Sequence, residues 1–151
     1  MLRCCRTPPE NKDFQKLVAE LDAELRIRDG DQHSFFAQFN KTNDLNHAIV
    51  AYEDEEPVGC GAIKLYAPGT MEIKRMYVTL SMRGKGIASM ILEELENWSR
   101  ELNCVKCILE TGEKQPEAIR LYTKNNYQII PNYGQYADVE TSVCFEKNLS
   151  E

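Results

Sequence analysis

Ser81-Met82-Arg83-Gly84-Lys85-Gly86-Ile87-Ala88 is the stretch on which the reading of this chain turns. It follows a strand-like run, Met71 to Val78, and opens an amphipathic helix to about Leu102, with Ile87, Ile91, Leu95, Trp98 and Leu102 on the expected buried face. A helix N-terminus carries unpaired N–H donors and roughly half a positive charge, so a turn of this kind suits a phosphate. Gly84 and Gly86 lack a Cβ and tolerate positive φ, which lets a pyrophosphate come up against bare amides; Arg83 and Lys85 add cationic charge. The loop is not the Walker G-x-x-x-x-G-K-[ST] motif. It also departs from the dinucleotide G-x-G-x-x-G fingerprint, with Ser89 where the last glycine belongs.

Upstream, Asp13 to Arg28 carries a helical stripe of Phe14, Leu17, Val18, Leu21 and Leu25, broken by Asp29-Gly30-Asp31. A second, shorter helix is expected around Phe35, Phe36 and Phe39. Ala48 to Tyr52 and Val58 to Tyr66 read as strands joined by the charged turn Glu53 to Pro57; Gly59 and Gly61 mark a bulge or a close backbone approach. Ala67-Pro68-Gly69-Thr70 is turn chemistry before the Met71–Val78 strand. Downstream, Val105 to Glu110 is strand-like. Pro116 then suits the first turn of a helix through Ala118, Ile119, Leu121 and Tyr122, which Asn125-Asn126 can close in a left-handed cap. Two last strands, about Tyr127 to Ile130 and Thr141 to Glu146, flank the loop Pro131 to Tyr136. The expected order is β-α-α-β-β-β-α-β-α-β-β, a mixed α/β fold in one domain over residues 1–151.

Composition narrows the function. With 42% hydrophobic and 28% charged residues, the 151-residue chain has the profile of a globular protein with a real core. A net charge of −6 argues against sequence-independent nucleic-acid binding, which needs clustered cations. No apolar run approaches the ~20 residues of a membrane span, and Thr7-Pro8-Pro9 replaces the apolar core of a secretory signal. Cys104-Val105-Lys106-Cys107 has metal-pair spacing, but no second pair or nearby histidine completes a site, so no metal is expected and Cys107 reads as a core hydrophobe. The six cysteines are expected to be reduced thiols of a cytoplasmic protein.

Three ordered segments then carry a family resemblance. Arg83-x-x-Gly86-x-Ala88 resembles the Q/R-x-x-G-x-G/A pyrophosphate loop of the GNAT N-acetyltransferase superfamily. Met71-Glu72-Ile73-Lys74-Arg75-Met76-Tyr77-Val78 is similar to that family's fourth strand, and Gln115-Pro116-Glu117-Ala118-Ile119-Arg120-Leu121-Tyr122 to its N-x-x-A-x-x-L-Y segment. The resemblance covers residues 71 to 127 and implies a single-domain fold with a central mixed, mostly antiparallel sheet flanked by helices.

It also implies roles. The main chain from Arg83 through Gly84, Lys85, Gly86 and Ile87 to Ala88 would hold the pyrophosphate of acetyl-CoA, the acyl donor. Met76, Tyr77 and Val78 would lie along its pantetheine arm. Tyr122 matches the tyrosine that protonates the departing thiolate, and Glu72 the glutamate that takes the amine proton. Tyr122 as a core-facing helix residue, and Glu72 as a salt-bridge partner of Lys74 or Arg75, are the readings without catalysis. Gln115 replaces the usual asparagine and would reach the pantetheine from a longer arm; Asn126 stands where a glycine usually ends the helix. His33 and His47 fall on no matched motif. Substrate choice in the family rests on the first helices and the last loop. Here those supply Phe35, Phe36, Tyr133 and Tyr136, with Asp29, Asp31 and Asp138 near in sequence, and Tyr133 and Tyr136 are the acceptor-binding candidates. The expected reaction is direct attack of a primary amine, a small molecule rather than a protein or peptide, on the thioester. A non-catalytic acyl-CoA-binding or regulatory module on the same fold, and a protein or peptide N-acetyltransferase, are the alternatives. Neither nucleic acid nor membrane is an expected partner, and a homodimer is expected because dimers are frequent among similar proteins.

Overall fold

The computed structural model describes residues 1–30 and 45–150, with the side chain of Asp29 left out. The expected second helix with Phe35, Phe36 and Phe39, together with Asp31 and His33, lies outside the described residues. Seven stretches enter one sheet: β1 (Leu2–Thr7), β2 (His47–Glu53), β3 (Glu56–Ala67), β4 (Thr70–Val78), β5 (Lys106–Gly112), β6 (Gln128–Ile130) and β7 (Ser142–Asn148). Their spatial order is β1-β2-β3-β4-β5-β7-β6, and only the β4–β5 pair is parallel. Antiparallel neighbours close through short turns, whereas the parallel pair needs a crossover. That crossover carries α2 (Ile87–Glu101); α1 (Lys12–Asp29) and α3 (Pro116–Lys124) complete the helices among the described residues. The mixed, mostly antiparallel sheet flanked by helices is the expected one.

Alternation in β2 shows why the sheet is covered on both faces. Ile49 and Ala51 join the core beneath α2 with Ile91, Leu92 and Leu95, while Ala48 and Val50 meet Phe14, Leu17 and Val18 of α1. The Asn11 side chain starts α1 by accepting from the amides of Asp13 and Phe14 at 2.8 and 3.0 Å. The face of α2 differs from the expected stripe at its C-terminal end. Leu102 lies just past the helix as its cap and is exposed; Trp98 sits half-buried at the rim, 4.8 Å from the His47 ring; Leu92, Glu96 and Ser99 are buried.

Gly61 is the close approach. A Cβ there would stand 2.8 Å from both Leu95 Cδ1 and Met76 Sδ and 2.9 Å from Ile91 Cγ2, so the absent side chain lets α2 settle onto β3. Gly61 also faces a β-bulge. Cys60 pairs with Tyr77 and Ala62 with Lys74, leaving Arg75 and Met76 opposite one residue, with Arg75 at φ +60°. The extra residue resets the alternation, so Met76 and Val78 stay on the α2 side with Ile73, and Tyr77 faces α1. Gly61→Val should overpack this contact by about 2–3 kcal/mol, lowering the melting temperature by on the order of 5–10 °C in a thermal unfolding scan. An unchanged melting temperature would show that α2 has room to retreat.

Beyond the bulge the sheet opens. The β4–β5 ladder runs through Thr70↔Lys106, Met71↔Cys107 and Glu72↔Ile108 and stops there. From Ile73 onward the two strands share no pairing, and a cleft lies between them.

Candidate active site

Gly84 and Gly86 adopt φ +80° and +81°, and an added Cβ would meet nothing within 4 Å at either, so the left-handed backbone rather than crowding requires glycine. Gly86 is the N-cap of α2 and supplies no side chain to the first helical amides. Those donors border a cavity of about 500 Å³. Met76, Tyr77 and Val78 of β4 line it, as do Arg83, Gly84, Gly86, Ile87 and Ala88 of the loop and Gln115 and Tyr122 at the two ends of α3's inner face. The structure therefore brings the expected donor-binding residues to one wall. Lys85 is the exception: it is exposed, its ammonium 3.9 Å from the Met82 sulfur.

Arg83 is spent on the protein. Its Nε donates to the Val78 carbonyl at 2.9 Å, and its guanidinium pairs with Glu24 of α1 at 2.8 Å. Glu24 also lies 3.9 Å from Arg28, which pairs in turn with Glu117 of α3. Alternating charges thus link α1, the loop and α3. Arg120 and Lys124, which no sequence argument singled out as ligand contacts, add cations from α3 to the same cavity. Glycines without a Cβ, uncapped amides and nearby cations match the chemistry of a diphosphate.

A smaller chamber of about 120 Å³ abuts the first, and Leu21, Met76, Gln115, Ala118 and Tyr122 line both. Glu72 and Lys74, two apart on β4, share the face that carries Glu110 of β5, because Glu72 pairs with Ile108. Glu72 is buried and accepts the Tyr133 hydroxyl at 2.7 Å; the Lys74 ammonium lies 3.8 Å from its other oxygen. Glu110 accepts the Ser142 hydroxyl at 2.6 Å. Tyr136 lines the chamber, its ring 5.8 Å from that of Tyr133 in an edge-to-face contact. The structure therefore gathers Glu72, Tyr133, Tyr136 and Tyr122. The carboxylates beside the aromatics are Glu72 and Glu110, not the exposed Asp138. Glu110, Ser142 and the chamber-facing role of Lys74 escaped sequence reasoning, because only the β4–β5 and β5–β7 registers bring them together.

Burial sets the proton inventory. It pushes the Tyr122 phenol well above the usual tyrosine range, reinforced by the Glu110 charge, so the hydroxyl keeps its proton at neutral pH. Tyr122 also packs against the rings of Tyr127 and Phe145 at 5.9 and 5.7 Å, so its core-packing and cavity-lining positions coincide. Burial raises Tyr133 as well, with the Glu72 charge second. Lys74 is pulled below the ordinary lysine value by desolvation, against the favourable field of Glu72. No cluster of three or more metal-ligating side chains occurs among the described residues. The arrangement can take a proton at a carboxylate on one side and give one from a phenol on the other.

Known proteins share this architecture. The family model described as Acetyltransferase (GNAT) family matches residues 12–127. An IAA acetyltransferase of Azospirillum brasilense is 32% identical over 152 residues, covering 95% of each chain. An acetyltransferase of Agrobacterium fabrum is 27% identical over 132 residues, covering 87% of this chain and 95% of its own. Among solved structures, a Klebsiella pneumoniae protein of the acyl-CoA N-acyltransferase type superposes with a TM-score of 0.83 at 33% identity, covering 99% of this chain and 98% of that one. The PaiA N-acetyltransferase of Thermoplasma acidophilum, solved with coenzyme A, shares the fold at a TM-score of 0.73 and 16% identity, with 98% and 99% covered.

Proposed function

The chain belongs to the GNAT acetyltransferase family and is an acyltransferase, and from that premise we propose that it moves an acetyl group from acetyl-CoA to the primary amine of a small molecule by direct attack. One observation supports this reading above the rest: the cavity along the glycine loop and the small charged chamber meet at Tyr122. We read the whole chain as one transferase domain, cytoplasmic by its cysteine usage and dimeric by family likeness. The Azospirillum relative's name points to a small-molecule acceptor, and the chamber's size favours the same class over a peptide.

Acetyl-CoA supplies the activated thioester. The amides from Arg83 to Ala88 would hold its diphosphate, Met76 to Val78 would run beside its pantetheine on the unpaired edge of β4, and Gln115 would meet it from the start of α3. Tyr133 and Tyr136 would flank the acceptor. Glu72 would take the proton that the attacking nitrogen must lose, directly or through water, and Tyr122 would give its own to the departing sulfur. Proton count balances: one leaves the amine, one reaches the thiol.

Thermal unfolding with acetyl-CoA, paired with thiol release over a panel of amines, tests this. At a hundred times its Kd, acetyl-CoA should add roughly 2.7 kcal/mol of stability. Stabilisation without thiol release from any amine would favour the non-catalytic module instead. No stabilisation at all would remove the donor assignment.

A further inference from the structure

The chamber holds a cation that its surroundings do not satisfy. The Lys74 side chain is only 10% exposed, yet its ion-pair partner, Glu72, stands 3.8 Å away, beyond hydrogen-bond distance. An ammonium has three donors to place. Glu72 meanwhile takes a 2.7 Å hydrogen bond from Tyr133, so its stronger partner is the phenol. Neighbouring Arg75 turns its terminal nitrogen to Asp22 and the Val18 carbonyl of α1, while its buried Nε makes no hydrogen bond among the described residues. Burying an ammonium with so little compensation is costly, and the lowered proton affinity of Lys74 reflects that cost.

We propose that Lys74 is the contact for an anionic group of the acceptor, and that the acceptor is an amino-acid-sized amine carrying a carboxylate. Glu72, Glu110 and Lys74 line the chamber, and Arg75, which also lines it, is neutralised by Asp22 of α1, so among the described residues Lys74 is the one uncommitted cation there beside two carboxylates. One cation for a carboxylate and carboxylates for an ammonium suit a zwitterion and disfavour a phosphorylated amine, whose second negative charge would find no counterpart. The volume of about 120 Å³ equals that of about four liquid-water molecules, the scale of a small amino acid. With the carboxylate at Lys74, the neighbouring Glu72 stays within reach of the amine end, which is to meet the acyl group at the shared wall by Tyr122. This assignment rests on the transferase reading above and adds the substrate class to it.

Thiol release by the full chain, at saturating acetyl-CoA, decides the matter. The panel is a set of small α-amino acids, each paired with its decarboxylated amine and with its carboxamide, which keeps the shape but loses the charge. The wild type should favour the carboxylate form by about tenfold or more in kcat/KM, chiefly through KM, as a charged hydrogen bond requires. In Lys74→Met that ratio should fall to near unity, and Lys74→Arg should restore part of it. A fold defect would lower both members of a pair alike and leave the ratio standing, and the acetyl-CoA thermal shift of each variant reports its folding separately. Equal use of amine, amide and acid by the wild type, or an unchanged ratio in Lys74→Met, overturns the inference while the transferase reading survives. Thiol release from no compound of this panel, with the thermal shift intact, overturns the amino-acid assignment and leaves the transferase reading to the wider panel of amines.

Discussion

Tyr122→Phe should lower kcat by about 10²–10³-fold while leaving the acetyl-CoA thermal shift close to that of the wild type. The substitution removes one oxygen from a side chain whose ring already packs on Tyr127 and Phe145, so the core loses little. What disappears is the proton held where the two cavities join. Because burial and the Glu110 charge raise the Tyr122 phenol, its protonated, donating form persists to higher pH than a free tyrosine would allow. The wild-type kcat profile should accordingly show no alkaline decline from this group below about pH 10. Unchanged kcat in Tyr122→Phe, with pre-steady-state data showing chemistry to be rate-limiting, would pass the acid's role to water or to another residue.

Glu96→Ala should cost about 3 kcal/mol of stability and on the order of 10 °C in melting temperature, with no direct effect on either cavity. Glu96 is a buried carboxylate on the inner side of α2, and its two oxygens accept the Tyr127 hydroxyl at 2.9 Å and the Lys147 ammonium at 2.8 Å. It therefore ties α2 to β7 and to the residue just before β6. Truncation leaves a buried phenol without its acceptor and a mostly covered ammonium without its counter-charge, and unpaired groups of this kind are what buried-pair mutations expose. Glu96→Gln keeps an acceptor for Tyr127 and should lose less, roughly half as much. Equal melting temperatures for the alanine variant and the wild type would mean that Lys147, itself 20% exposed, escapes to water and that the phenol finds another acceptor.

These two residues also mark how far the sequence could be read. Tyr122 was visible because it closes an ordered segment, Gln115 to Tyr122, that resembles a known one. Glu96 was invisible. In the α2 stripe it reads as an ordinary solvated charge, and nothing local says that Tyr127 and Lys147 converge on it. The same contrast runs through the chamber. Glu72 drew notice as a carboxylate in a central strand, yet its hydrogen-bond partner, Tyr133, lies 61 residues away, and that pairing appears only in three dimensions. Glu110 carried no motif, and Lys74 stood out only as a salt-bridge candidate for Glu72.

By itself, then, the sequence determined the elements whose signals are local: the glycine loop, whose main-chain angles exclude side chains; the period-two and period-3.6 stripes; and the asparagine that ends α3, where Asn126 sits at φ +73° as expected. Only the tertiary structure decided where β4 and β5 part, that Arg83 is drawn to Glu24, and which acidic side chains share a face. Local propensity acts over a few residues of chain. Register, splay and charge pairing are settled by contacts between segments far apart in sequence, once burial has made every unpartnered polar atom costly.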